Sequence, residues 1–191
     1  MTNWPFGDLQ PLSYDLIMAD PPWRFANWAK AGEAKNATAH YECMAWEEIA
    51  TLPVGHLASP NSVLWLWATN PMLPEAMALM ERWGFAFKTA GHWAKWNAET
   101  GKLAFGTGYL LRSAGEPFLI GTIGKPKVAR NVRSVILGER REHSRKPDEA
   151  FIAAEALMPD ARRVELFSRE SRPGWDCWGN EAGKFNAEPA T

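Results

Sequence analysis

Two short runs of apolar residues in this chain predict buried β-strands. One covers residues 14–19 and stops at Asp20-Pro21-Pro22-Trp23, and the other covers residues 62–68 and stops at Thr69-Asn70-Pro71. Continuous apolar runs of this length are typical of strands that are covered on both faces. Further strands are predicted over residues 85–96, 117–121 and 163–168.

Amphipathic segments between these runs predict two helices. Asn70 is expected to cap the first helix, with Pro71 as its first residue. The second helix begins within residues 146–149, where a proline and two acids stand in the first turn. The expected buried faces are Leu73, Met77, Met80 and Trp83, before Gly84, in the first helix and Phe151, Ala154, Leu157 and Met158 in the second.

The alternation of strands and helices predicts an α/β fold. We expect a mostly parallel sheet with helices on both faces. Ligands of such sheets bind beyond the carboxyl ends of the strands. The segments at those ends are residues 20–23, 69–70 and 169 onward, so the chemistry is expected there.

Length and composition narrow the class of protein. A chain of 191 residues favours one domain, which we assign to residues 1–185, followed by a tail over residues 186–191. No apolar run approaches the roughly 20 residues of a membrane span. Cys43 and Cys177 lack the spacing of a zinc site or a disulfide framework. We therefore expect a cytoplasmic protein without a metal.

Charge is distributed unevenly along the chain. The formal net charge is −1, yet residues 125–146 carry +6 and the remainder carries −7. Such a run is either a solvated loop or a loop that faces phosphates. Because the run contains a glycine and a helix is predicted to start directly after it, the phosphate-facing loop is a reasonable alternative to the solvated loop. The net charge therefore does not exclude a nucleic-acid partner.

Asp20-Pro21-Pro22-Trp23 is the most specific motif of the chain. Two prolines remove backbone donors and fix φ, so the carbonyls are expected to be rigid acceptors with no local partner. A carboxylate beside such a carbonyl suits an exocyclic amino group, and the proline and Trp23 rings offer flat surfaces for a base. The alternative is a plain Asp-Pro turn followed by a core tryptophan.

The motif resembles the signature of the N6-adenine methyltransferases similar to the catalytic subunit of the eukaryotic mRNA adenosine methyltransferase, including their short bacterial and phage relatives. The resemblance runs from about Asp8 to Glu181. It also rests on residues 64–70, 106–116, 144–149, 165–169 and 174–181.

This resemblance implies a single Rossmann-like domain with a permuted motif order and S-adenosylmethionine (SAM) as the methyl donor. The implied catalytic residues are Asp20, Pro21, Pro22 and Trp23, which would accept the N6 hydrogens and flank the base. The implied cofactor-binding residues are Asp8 and Leu9 for the adenine, Asp20 and Lys146 for the methionine moiety, and Arg169, Asn180 and Glu181 for the ribose. Glu181 departs from the pattern, since many relatives carry an amide there.

The substrate implied by the resemblance is adenine in nucleic acid, with DNA favoured over RNA. The expected substrate-binding residues are His40, Tyr41, Asn70, Arg112, Glu116, Arg130 and Arg133. A homodimer or a partner subunit of the same family is also expected. Two alternatives stay open, namely an RNA adenosine methyltransferase and a catalytically silent nucleic-acid-binding subunit.

Overall fold

A computed structural model describes residues 4–23, 44–108, 110–141 and 145–186. Within these ranges the chain forms eight strands and three α-helices. The strands are β1 (Tyr14–Ala19), β2 (Ala58–Trp67), β3 (Ala86–Asn97), β4 (Lys102–Leu103), β5 (Gly115–Ile123), β6 (Val135–Glu139), β7 (Arg163–Leu166) and β8 (Trp175–Trp178). The helices are α1 (Trp46–Thr51), α2 (Leu73–Arg82) and α3 (Asp148–Leu157).

The strands form one mixed sheet in the order β4-β3-β5-β2-β1-β7-β8, and β6 pairs with β3. β1 pairs in parallel with β2 and β7, and β7 pairs in parallel with β8. β5 runs antiparallel to both β2 and β3. Among the described residues the prediction of a mostly parallel sheet is confirmed, since six of the eight strands point the same way and only β4 and β5 run against them.

Helices cover both faces of the sheet, as the sequence predicts. Apolar residues of α1 and α2 pack on one face together with Leu64 and Leu66. On the other face, α3 packs against Trp65, Trp67 and Phe118. Because alternate residues of β2 enter both cores, its second half, residues 63–67, is continuously apolar.

The start of α2 differs from the prediction. Asn70 does not cap an α-helix, because residues Asn70–Met72 form a separate 3-10 turn and α2 begins at Leu73 after Met72. Met77 is 48% exposed, and the buried face of α2 consists of Ala76, Leu79 and Met80. α3 begins at Asp148 with Pro147 as the N-cap, and Asp148 and Glu149 stand in its first turn as expected.

Three short strands, β4, β6 and β8, and the helix α1 escape the sequence prediction. β6 lies inside the basic run, so that run is not one continuous loop. β8 has four residues, between segments rich in glycine and proline. No helix within the described ranges is long and apolar enough to cross a membrane. Residues 187–191 lie outside the described residues, so the tail boundary at 186 stays a prediction.

Candidate active site

Asp20 lies at the carboxyl end of the central strand β1, between β2 and β7. Its backbone N–H donates to the Leu166 carbonyl of β7 at 3.4 Å. The chain connects β1 to β2 on one side, and β7 lies on its other side. Ligands of open α/β sheets bind in the crevice at such a point, because the loops leave on opposite faces there.

The backbone carbonyls after Asp20 accept more hydrogen bonds than predicted. The Trp23 N–H donates to the Pro21 carbonyl at 2.8 Å, and the Met44 N–H donates to the Pro22 carbonyl at 3.2 Å. The expectation that the Pro21 carbonyl has no local partner is therefore wrong. A carbonyl oxygen has two lone pairs, so one remains for a ligand.

Trp23 is a core residue rather than an open stacking surface. It is 4% exposed, and its indole N–H donates to the Trp67 carbonyl at 3.3 Å. This hydrogen bond ties the residue after the prolines to the end of β2. The expected ring face for a base is thus covered, and Trp23 instead holds the turn in place.

A chain of four alternating charges runs through the site. The Lys146 Nζ lies 2.9 Å from Asp20 Oδ2 and 2.6 Å from Glu116 Oε1. The other Glu116 oxygen, Oε2, accepts from Lys95 Nζ at 2.9 Å. Residues predicted separately for catalysis, cofactor and substrate therefore form one connected cluster, since β1, β3, β5 and the start of α3 converge here.

Burial and mutual charge set the pKa values of this cluster. Burial raises the pKa of Asp20, Glu116 raises it further, and the nearby Lys146 opposes both effects. Burial alone would raise the pKa of Glu116, but Lys146 and Lys95 lower it to about 2. Burial alone would lower the pKa of Lys146, but the two carboxylates hold it above its ordinary value. Lys146 therefore stays protonated.

A narrow cleft extends from Asp20 along the end of β7. Phe167, Arg169, Glu170 and Phe185 line it together with Asp20, Lys146, Arg145, Phe151, Glu165 and Arg172. Phe167 has a φ of +61°, which is uncommon for a residue with a bulky side chain and is typical of strained functional sites. This conformation places the Phe167 ring at the cleft.

Ion pairs fill most of this cleft. Arg145 binds Glu170 through two hydrogen bonds of 2.7 and 3.2 Å, and Arg169 pairs with Glu181. Both arginines also lie over the Phe185 ring. About 20 Å³ remains free, which is room for one water molecule. A ligand the size of a nucleoside therefore requires these side chains to move apart.

The predicted adenine-binding arm lies beside the same cleft. Phe6 packs edge-on against Trp178 at 5.0 Å between ring centroids, and the Trp178 indole N–H donates to the Pro5 carbonyl. Asp8 is exposed, whereas Leu9 is buried. The backbone N–H and carbonyl of Leu9 are already bonded to Phe6 and Trp4. Asn180, two residues after Trp178, is exposed.

The predicted substrate residues separate into three groups. Glu116 joins the charge cluster. Asn70, Arg112, Arg130 and Arg133 are exposed, and Arg112 lies over the Phe105 ring at 5.5 Å. His40 and Tyr41 lie outside the described residues. The basic run is also divided, because Arg141, Arg145 and Lys146 make ion pairs with Asp148, Glu170 and the central cluster.

Sequence reasoning missed two residues of the site. Lys95 completes the charge chain; it lies two residues after Trp93, whose neighbour across the strands is Glu116. Glu165 lies on β7, and burial raises its pKa to about 7 despite a hydrogen bond from Ser168. No local signal marks either residue, because β3 also contains Lys88 and His92 and the four-residue β7 also contains Arg163.

The family of the chain follows from its match to a family model. The model described as MT-A70 matches residues 14–181, so it includes Asp20, Glu116, Lys146 and Arg169. The chain belongs to the MT-A70 family. The mixed sheet with helices on both faces is the Rossmann-like methyltransferase fold of this family.

Curated MT-A70 relatives occur in plants, bacteria and animals. The chain is 34% identical over 173 residues to the N(6)-adenosine-methyltransferase MT-A70-like of Arabidopsis thaliana, covering 88% of this chain and 24% of that protein. It is 28% identical over 193 residues to the Type II methyltransferase M.MunI of Mycoplasma sp, and the match covers 92% of this chain and 81% of that protein. It is 26% identical over 198 residues to the human N(6)-adenine-specific methyltransferase METTL4, and the match covers 93% of this chain and 40% of that protein. The chain thus spans about a quarter of the plant relative.

Membership of the MT-A70 family implies a methyl donor, typically SAM. The chemistry of the cleft fits this group, because it combines Lys146 and Arg169 with acids and with the Phe167 and Phe185 rings. Cations suit a carboxylate, acids suit an ammonium group and vicinal hydroxyls, and rings suit a base. Among the described residues, no group of three His, Cys, Asp or Glu side chains forms a metal site.

Proposed function

We propose that this protein transfers a methyl group from SAM to the N6 amino group of adenine in nucleic acid, with DNA favoured over RNA. The observation that carries the proposal is the Asp20–Lys146–Glu116 ion-pair cluster, which lies at the switch point of the sheet. The names of the relatives support the reaction, since they describe adenine- and adenosine-N6 methyltransferases.

The residues of the chain have distinct roles in this reaction. When bound, SAM supplies a methyl group that is already activated by its sulfonium sulfur. Asp20 accepts one N6 hydrogen, and the free lone pair of the Pro21 carbonyl accepts the other. The N6 lone pair then points toward the methyl carbon, and such positioning supplies roughly 7–11 kcal/mol of the barrier. The N6 proton is lost after transfer, to Asp20 or to water.

Lys146 is the positioning residue of this arrangement. Its ammonium lies between the Asp20 and Glu116 carboxylates, so it opposes the rise in the pKa of Asp20 that burial causes. Lys146 and Asp20 are assigned to the methionine moiety, and Arg169, Asn180 and Glu181 are assigned to the ribose. Asp8 and Leu9 are assigned to the adenine, which requires Leu9 to exchange its present backbone partners.

Substrate capture is assigned to exposed polar residues, of which Arg130 and Arg133 lie on the loop over residues 124–134 rather than beside the charge cluster. Asn70, Arg112, Arg130 and Arg133 are free to meet a nucleic acid strand, and His40 and Tyr41 are assigned to the base. A single strand avoids the cost of flipping a base out of a duplex, which is a few kcal/mol. A homodimer or a family-related subunit is the proposed protein partner. The free Cys177 and the cysteine spacing support a reducing, cytoplasmic compartment.

A methyl-transfer assay tests this function. Radiolabelled SAM is incubated with the protein and adenine-containing single-stranded DNA, duplex DNA or RNA, and the labelled nucleoside is identified by chromatography. We expect N6-methyl-2′-deoxyadenosine, and Asp20→Asn serves as a variant of equal size without the carboxylate. Label in N6-methyladenosine alone would instead assign the RNA reaction. Calorimetric binding of SAM and of oligonucleotides without any transfer would identify the silent subunit.

A further inference from the structure

A second cavity lies away from the charge cluster, on the α3 face of the sheet. It has a volume of about 470 Å³ and lies between the sheet and the loop over residues 124–134. Apolar side chains form most of its wall, among them Val63, Trp65, Phe118, Ile120, Val128 and Leu157. Half of its lining residues are exposed, among them Lys88, Val128 and Arg133, so this space is a groove open to solvent rather than an enclosed void.

The loop over the cavity is anchored at three points. The Lys125 N–H donates to Asn61 Oδ1 at 2.8 Å, and the Ala129 N–H donates to the Leu157 carbonyl at 2.9 Å. At its far end, the Ser134 carbonyl accepts from the His92 N–H at 2.8 Å. These bonds hold the loop above the sheet, so the cavity is a preformed feature.

Three cations are among the residues that line this cavity. Lys88, Lys125 and Arg133 line it and are exposed, and none of them forms an ion pair with another residue in the described part of the chain. Lys88 has no cross-strand partner, because a register shift between Phe87 and Thr89 makes it the extra residue of a β-bulge. Bulges redirect side chains in this way next to functional sites.

Polar groups inside the cavity are few. Thr89 and Thr122 contribute hydroxyls. The indole N–H of Trp65, a lining residue that is 2% exposed, has no hydrogen-bond partner within the described ranges. An apolar pocket with a few fixed polar groups is the usual form of a small-molecule site.

We propose that this cavity binds an amphipathic monocarboxylate, with its alkyl or aryl body under the loop and its carboxylate among Lys88, Lys125 and Arg133. The apolar wall excludes a highly charged ligand from the interior, whereas the three cations favour one anionic end. The cavity is separate from the charge cluster, because the Trp67 ring lies between them. Trp67 contacts Trp65, which lines the cavity, and also contacts the Lys146 ammonium, but Trp67 itself does not line the cavity. The proposal does not depend on the methyltransferase activity.

Calorimetric titration of the full chain with decanoate tests the site, with decanol as the uncharged probe of equal chain length. We expect decanoate to bind at least tenfold more tightly than decanol. The double variant Lys125→Ala/Arg133→Ala should remove this preference. Lys127→Ala is the matched control, because Lys127 is exposed in the same loop but does not line the cavity.

A cavity-filling variant tests whether binding occurs inside. Thr122→Phe should abolish the binding of both probes, and a thermal unfolding curve confirms that this variant is folded. The surface variant Arg133→Glu provides a second test that leaves the core untouched. Unchanged decanoate binding in Thr122→Phe or in Arg133→Glu overturns the proposal. The proposal is also overturned if the unmodified chain does not bind decanoate and Thr122→Phe loses oligonucleotide binding.

Discussion

The ammonium of Lys146 lies 2.9 Å from the carboxylate of Asp20, although one residue precedes α3 and the other follows β1. The same ammonium lies 2.6 Å from Glu116. Lys146 is 8% exposed, so water contributes little to the solvation of these charges. The Lys146 ammonium thus compensates two carboxylates that would otherwise repel each other.

Replacing Lys146 should destabilise the protein in a pH-dependent manner. Lys146→Met leaves the Asp20 and Glu116 carboxylates, whose side chains are 22% and 14% exposed, without their shared cation, and breaking a largely buried pair in this way costs up to about 3–5 kcal/mol. Protonation of the carboxylates relieves the repulsion, so the loss in unfolding free energy should be larger at pH 8 than at pH 5. Urea unfolding at both pH values measures it. Lys184→Met, which removes a half-exposed partner of Glu181, serves as the control. An equal loss at both pH values would contradict the explanation.

Glu165 should make stability fall as the pH rises from about 4.5 to about 7. Burial raises the pKa of its carboxyl to about 7, so in this window the folded chain holds more protons than the unfolded chain. Unfolding free energy therefore decreases with rising pH. In Glu165→Gln this contribution should be absent, whereas Glu81→Gln, on the exposed side of α2, should keep it. Thermal unfolding across pH 4.5–8 provides the measurement.

Removing the carboxylate of Asp20 should abolish methyl transfer and leave the fold intact. In Asp20→Ala, Lys146 keeps its ion pair with Glu116, so no buried cation loses all its partners. Losses of roughly 10²–10³-fold or more are typical when a group that stabilises developing charge is removed. Transfer of radiolabel and the thermal midpoint are compared with those of Asp160→Ala, an exposed control. Near-normal turnover would overturn the proposed role.

The exposed arginines of the basic run should contribute to nucleic-acid binding through charge. Arg130→Glu and Arg133→Glu should each weaken binding and flatten its salt dependence, since each phosphate contact contributes a slope of about 0.7–0.9. Arg82→Glu makes the same charge change on α2, on the opposite face of the sheet. Fluorescence anisotropy at several salt concentrations measures the slopes. An unchanged slope in both loop variants would assign these arginines to a solvated surface.

The sequence predicted the elements whose side chains are buried in a regular pattern. β1, the apolar part of β2 and α3 were recognisable because their apolar residues face a core. β6 was not, since its burial alternates over five residues and charged residues flank it. The reversed direction of β5 was also hidden, because an apolar strand has the same composition in a parallel and an antiparallel pairing.

The site was predictable as a set of residues but not as a network. Asp20 was identified from the strand end that delivers it. Glu116 and Lys146 were assigned to different ligands, because only the fold shows that the Lys146 ammonium contacts both carboxylates. The contact of Lys95 with Glu116 and the strained left-handed backbone of Phe167 both depend on tertiary packing. No local sequence pattern predicts either of them.

The narrowness of the cleft at β7 has a kinetic consequence. With about 20 Å³ free, the Arg145–Glu170 and Arg169–Glu181 pairs must separate before a nucleoside-sized ligand enters. Opening is then a unimolecular step that precedes association. The observed rate of cofactor binding should level off as its concentration increases, and the plateau is the opening rate constant. Stopped-flow fluorescence would follow it, and weakening the Arg145–Glu170 pair by Glu170→Gln should raise that plateau.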